Sequence, residues 1–257
     1  MNWLKKLLPK VLYIAVFTAI WQAVVTSFKL KVYILPGPFK VLGTIFGPGM
    51  LEKNQWFRHI GATLTEVGAS LLATVVVGIV LAILITWSKM LSQLLMPIIT
   101  MFNSLPKIAM APLFLLWFGY GLLPNILIAI LSAFFPLVIN AVTGLNAVDD
   151  DLLNLVKYLH ASKLQIFVKI RIPNSLPYIF AGIKISTTFC VVGSIVGEFI
   201  ASEKGLGYLI CDAQAFVDLP TIFACLILLS LMGFLLFTAI EFIEKICMPW
   251  NHRKVGV

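Results

Sequence analysis

The chain has 257 residues and a formal net charge of +8, with 60% hydrophobic and 12% charged residues, about half the charge fraction of an ordinary soluble domain. A mean hydropathy of +1.01 exceeds what one compact core can hide, so the excess must face lipid, and a soluble globular enzyme is excluded. In such a chain the positive charge has to be weighed against loop placement before it argues for nucleic acid.

Roughly 20 apolar residues span a bilayer as a helix, whereas a β-barrel shows short alternating segments, so long uninterrupted runs predict an all-α membrane bundle. Six runs are visible. Val11 to Phe28 is uncharged, follows Lys5, Lys6 and Lys10, and has no small-residue cleavage site after it, so it reads as a retained span. A connection rich in turn residues follows, with Leu35-Pro36-Gly37-Pro38 and Gly47-Pro48-Gly49, and is expected at the interface. The next runs are Ile60 to Trp87 with Glu66, Gln93 to Phe118 with Lys107, Leu122 to Leu145, Ser175 to Gly197 with Lys184, and Leu219 to Ile240. Cys190, Cys211, Cys225 and Cys247 lack metal or CxxC spacing and read as small hydrophobes. The six tryptophans mostly fall near span ends, as in an aromatic belt.

With six spans both termini share one side. A cytoplasmic N-terminus puts eleven basic residues inside and six outside, with Lys107 and Lys184 within spans, so the bias supports both termini being cytoplasmic. The charge is thus largely a topology signal, and no nucleic-acid partner is expected.

The stretch 149–173, between the fourth and fifth spans, is too patterned for a mere connector. Leu152, Leu155, Val156, Leu159 and Ile166 recur at helical spacing, with Asn154, Lys157, Tyr158, His160 and Lys163 between them. Asp149, Asp150 and Asp151 sit where a helix start favours negative charge; three adjacent acids cannot all reach one ion, so capping is the expected role and no metal is implied. Pro173 and Pro177 are expected to stop this helix before the next span begins. The pattern predicts a helix-turn-helix across the bundle ends, one face on its own helices and one offered to a soluble partner.

Asn154-Leu155-Val156, three residues, His160, nine residues, Ile170, one residue and then Ile172-Pro173 have the spacing of the EAA loop (EAA-x3-G-x9-I-x-LP) of ABC importer permeases, and the chain resembles that family. Pro106-Lys107-Ile108-Ala109-Met110-Ala111-Pro112-Leu113, Trp117-Phe118-Gly119, Phe135-Pro136, Gly197-Glu198 and Gly205-Leu206-Gly207-Tyr208 resemble its nitrate, sulfonate, taurine and thiamine-precursor branch. The resemblance implies a type I importer bundle with a coupling helix, paired as a homodimer in the bacterial inner membrane. It also implies two ATP-binding subunits and an extracytoplasmic substrate-binding protein as partners, with no cofactor. On that reading 1–59 is an N-terminal helix with an external segment, 60–245 the permease domain and 246–257 a cytoplasmic tail. The family's docking Glu is Asn154 here, which keeps an acceptor and loses the charge. Its turn Gly is His160, a residue type tolerated at positive φ. Glu66 stands where related permeases often carry a basic residue.

Lys107, among Pro97, Pro106 and Pro112, is a pathway candidate by its depth, and the prolines point to a broken helix. A water-reached bend, or an acid of a neighbouring subunit, would also accommodate it. Lys184 is a second candidate, although snorkelling to the interface explains it with no function. Glu198 fits an outer gate, a subunit contact or a solvated surface. Ser186, with Thr187, Thr188 and Ser194, offers hydroxyls to the pathway or to backbone. Two rival functions remain open. An intramembrane enzyme would need paired catalytic groups, but His59, His160 and His252 form no HExxH. An ion-coupled secondary carrier would need intramembrane acids, for which Glu66 is the candidate. Neither requires a cytoplasmic amphipathic loop. No Walker A sequence is present, so energy is expected from another chain.

Overall fold

The computed structural model describes residues 2–47 and 55–250, with side chains from residue 12 onward except 14. Pro48, Gly49, Lys53, His252, Arg253 and Lys254 lie outside the described residues. Every regular element among those described is helical: α1 (Asn2–Ser27), α2 (Pro38–Phe46), α3 (Trp56–Trp87), α4 (Lys89–Asn103), a 3-10 turn (Lys107–Met110), α5 (Ala111–Phe118), α6 (Leu122–Asn146), α7 (Asp150–Tyr158), α8 (Lys163–Ile166), a π turn (Phe167–Arg171), α9 (Ile172–Ala201), α10 (Leu206–Ala215) and α11 (Leu219–Cys247).

Four helical stretches are long and apolar enough to cross a membrane: α3, α6, α11 and the continuous helix from Lys163 to Ala201. α4 and the segment from Lys107 to Phe118 are together long and apolar enough as well, but meet at 82°, the geometry of a broken span or a re-entrant loop. The expected first span falls on α1, a helix of 26 residues. The connection after it is not all turn, since α2 forms within it and buries Val41 and Ile45 on one side.

The chain forms two compact units, residues 1–62 with 204–230 and residues 63–203 with 231–257. In the first, Trp21 packs its ring against Phe223 with centroids 5.8 Å apart. Trp56 there is wholly buried, which corrects its assignment to an aromatic belt. The Gly205-Leu206-Gly207-Tyr208 motif starts α10: Gly205 holds φ +125°, its N–H donates to His59 Nδ1 at 3.0 Å, and the Tyr208 ring stacks on His59 with centroids 6.0 Å apart.

The second unit is organised by α6 and α9, packed antiparallel along their length. A Cβ on Gly193 would stand 2.6 Å from Ala129 Cα, and one on Gly197 would stand 2.7 Å from Asn125 Cα. Where lipid removes the hydrophobic drive for helices to associate, such backbone contact through small residues supplies the van der Waals attraction instead. Ile85, Leu137, Val138, Leu145, Phe180 and Met248 complete a buried core around this seam.

Candidate coupling loop and translocation residues

The loop is assembled from strong local signals. Asp149 caps α7, its Oδ1 accepting the Asp151 N–H at 2.8 Å. At the other end the His160 N–H donates to Lys157 O at 2.9 Å and the Ala161 N–H to Val156 O at 3.0 Å. That pair of bonds closes a Schellman turn, whose left-handed position is usually glycine. His160 occupies it at φ +59°, so the turn survives the substitution. Two residues on, Ser162 and Gln165 form a reciprocal capping box that starts α8, a signal present in the sequence but not read above.

Two expectations for this region need correction. Pro173 and Pro177 do not stop the helix, because helical structure runs unbroken from Lys163 to Ala201. Pro173 sits in the first turn of α9 directly after the π turn, so the irregular bonding falls where proline lacks an amide hydrogen. Ile170, Ile172 and Pro173 are half-buried here, with Ile172 against the core. The inward face of α7 is also not the stripe read from the sequence. Leu153 is buried and Val156 half-buried, whereas Leu155 is 56% exposed and Leu159 68%, with Leu152 and Asn154 exposed beside them. A helix repeats every 3.6 residues, so 152, 155 and 159 share one side and 153 and 156 another. The apolar stripe is therefore the outward face.

The pathway candidates do not converge. Lys107 lies just after the bend that follows α4, with Nζ donating to Asn103 O at 2.7 Å and to Asn103 Oδ1 at 3.2 Å, and over the Phe135 ring at 5.6 Å. It lines a cavity of about 270 Å³ with Leu105, Pro106, Ile108, Ser132, Phe189 and Val192. Lys184, Ser186 and Glu198 are not part of that cavity. Lys184 forms an ion pair with Glu244 and lies over the Phe237 ring, so a partner on α11 holds it. Ser186 is buried and donates to Ala133 O on α6 at 2.7 Å, while Thr187 bonds its own helix at Ile183 O. Glu198 is buried, which corrects the solvated-surface reading, and accepts a 2.5 Å hydrogen bond from Thr63. Glu66, also buried, accepts from Asn125 Nδ2 at 2.9 Å. Asn103 stands four residues before Lys107 and was legible as an i,i+4 pair. Glu244 is 60 residues from Lys184 in sequence, and no local pattern joins them.

Residues 74–249, more than half of the chain, match the family described as binding-protein-dependent transport system inner membrane component. The formylaminopyrimidine transport permease protein ThiX of Halalkalibacterium halodurans is 32% identical over 86% of this chain and 88% of its own. The putative aliphatic sulfonates transport permease protein SsuC of Bacillus subtilis is 30% identical over 99% of this chain and 90% of its own. Among solved structures, an inward-facing conformation of the MetNI methionine ABC transporter superposes with a TM-score of 0.66, covering 77% of this chain and 97% of that one. At 19% identity it speaks to the fold alone. The chain belongs to the binding-protein-dependent transport system inner membrane component family: it is a multi-pass permease subunit of an ABC importer, working with separate ATPase subunits and a substrate-binding protein.

Proposed function

We propose that the chain pairs with a second copy of itself, docks two ATP-binding subunits through residues 149–173, and takes its cargo from an extracytoplasmic binding protein. Both termini are cytoplasmic in this reading, with residues 60–245 as the permease domain and lipid around it. The observation that carries it is the outward row of Leu152, Leu155 and Leu159 on a capped, sharply turned helix. Apolar side chains left open in this way fit a site that a partner covers. Asn154, also exposed, retains an acceptor for that partner.

The test is a Leu155→Asp, Leu159→Ala double variant of the permease co-expressed with its ATPase. A carboxylate placed in an apolar contact must be desolvated or expelled, so the ATPase should no longer co-purify and cargo-stimulated ATP hydrolysis in liposomes should be lost. The permease itself should insert and remain monodisperse. Normal association with normal stimulation would refute the docking role.

The cargo in this reading is a small pyrimidine-type solute, delivered past Lys107. The cavity at Lys107 is walled by Leu105, Pro106, Ile108, Phe189 and Val192 and suits a flat heteroaromatic ring. Lys107 is engaged by Asn103 and over Phe135, which leaves less of its charge for a compact anion such as nitrate, taurine or a sulfonate. Uptake of a labelled aminopyrimidine into liposomes holding the full transporter and binding protein should fall in Lys107→Met without loss of assembly. Uptake of labelled taurine with none of the labelled aminopyrimidine would reverse the assignment.

A further inference from the structure

At the loop-bearing end of the second unit, α3, α4, α6, α7, α8 and the π turn line an open cavity of about 840 Å³. Its wall carries four basic side chains, Lys89, Lys157, Lys163 and Arg171, and no carboxylate. None of the four is in an ion pair among the described residues. Lys163 is positioned by its own contacts: Nζ donates to Trp87 O at 2.8 Å and lies 4.6 Å over the Trp87 ring. Arg171 reaches Asn146 Oδ1 at 3.4 Å. Ser88 and Ser92 add hydroxyls, and α4 begins at the wall with its Ser88 side chain making no capping bond. The amide hydrogens of that first turn are therefore available to an anion alongside the four cations.

We propose that this cavity binds a phosphate-bearing anion, the headgroup of an acidic membrane phospholipid. Like charges gathered around one space repel unless a counter-charge enters, and phosphate oxygens suit both lysine and arginine donors. The headgroup source is favoured by what adjoins the cavity. Leu84 and Met90, which flank Trp87 and Lys89 on α3 and α4, are 52% and 76% exposed, and Leu94 continues that row one turn further along. Acyl chains lying on those side chains would leave the phosphate beside Lys89 and Trp87, and basic pockets between membrane helices are suited to such headgroups. The volume exceeds what a single inorganic phosphate fills, so the sugar, glycerol or second phosphate of a headgroup has room.

The experiment uses the whole transporter, permease with its ATPase subunits, delipidated in neutral detergent and titrated with phosphatidylglycerol, phosphatidylcholine or inorganic phosphate under native mass spectrometry. Phosphatidylglycerol should be retained at least about tenfold more strongly than phosphatidylcholine, and a Lys89→Gln, Lys157→Gln, Arg171→Gln variant should lose that preference. A Lys89→Arg, Lys157→Arg, Arg171→Lys variant, folded and charge-matched, should keep it. Equal retention of the two lipids, or undiminished preference in the neutralised variant, overturns the proposal. Saturation by inorganic phosphate with no competition from phosphatidylglycerol overturns the headgroup source. Binding to the free permease that disappears in the ATPase complex shows instead that an acidic surface of the ATPase fills the cavity.

Discussion

Helices α6 and α9 meet at Ala129, Gly193 and Gly197 with no space for another methyl group, whereas α7 carries Leu155 and Leu159 into the open. Both regions are apolar, and they stand only a few turns of chain apart. In the seam every apolar contact is made within the chain, so the surface is closed and its value is rigidity. On α7 the inward side is carried by buried Leu153 and half-buried Val156, and the exposed apolar area of Leu152, Leu155 and Leu159 is available to another chain. The difference teaches that an apolar residue in this protein signals function when its partner is missing, and architecture when backbone lies against it.

The comparison is broken most directly at the seam. Gly193→Leu would press its side chain into the Ala129 backbone 2.6 Å from the new Cβ, at a cost of about 3 kcal/mol or more from overpacking. Thermal unfolding in detergent should show a much lowered midpoint or an aggregated product; a wild-type midpoint would mean that the two helices separate without penalty. The loop should respond differently on its two sides. Leu153→Ala is expected to destabilise the permease by about 2 kcal/mol, because a buried side chain is truncated. Leu155→Ala should stay within about 0.5 kcal/mol of wild type yet weaken ATPase co-purification. If Leu155→Ala unfolds the permease and Leu153→Ala spares it, the faces assigned to α7 are exchanged. The smallest effect lies at the turn. His160 holds a left-handed conformation at φ +59°, which costs a non-glycine residue about 1 kcal/mol. His160→Gly should slow hydrogen exchange at the Ala161 amide, and His160→Val should speed it.

Much of the loop was legible in advance because its determinants are local. Asp149 before an apolar run and His160 at a turn act over one helical turn, within reach of sequence reasoning. The inward choice of Leu153 over Leu152 was not legible, since both fit a helical stripe and only the position of the bundle end decides which is covered. The same holds for Glu198, whose burial depends on Thr63 from another helix, and for Lys184, whose counter-charge Glu244 arrives on α11.

By itself the sequence determined that the chain is helical, embedded in membrane and built with a patterned loop of importer type, because hydropathy, caps and motif spacing are properties of neighbouring residues. The prolines around Lys107 already signalled a break there, whereas the tertiary structure alone decided its angle of 82°, that helical structure continues past Pro173, and that four basic residues from separate elements surround one cavity. Those outcomes depend on which distant segments come to lie side by side. Packing between helices settles that through the space each side chain leaves, and no local pattern records it.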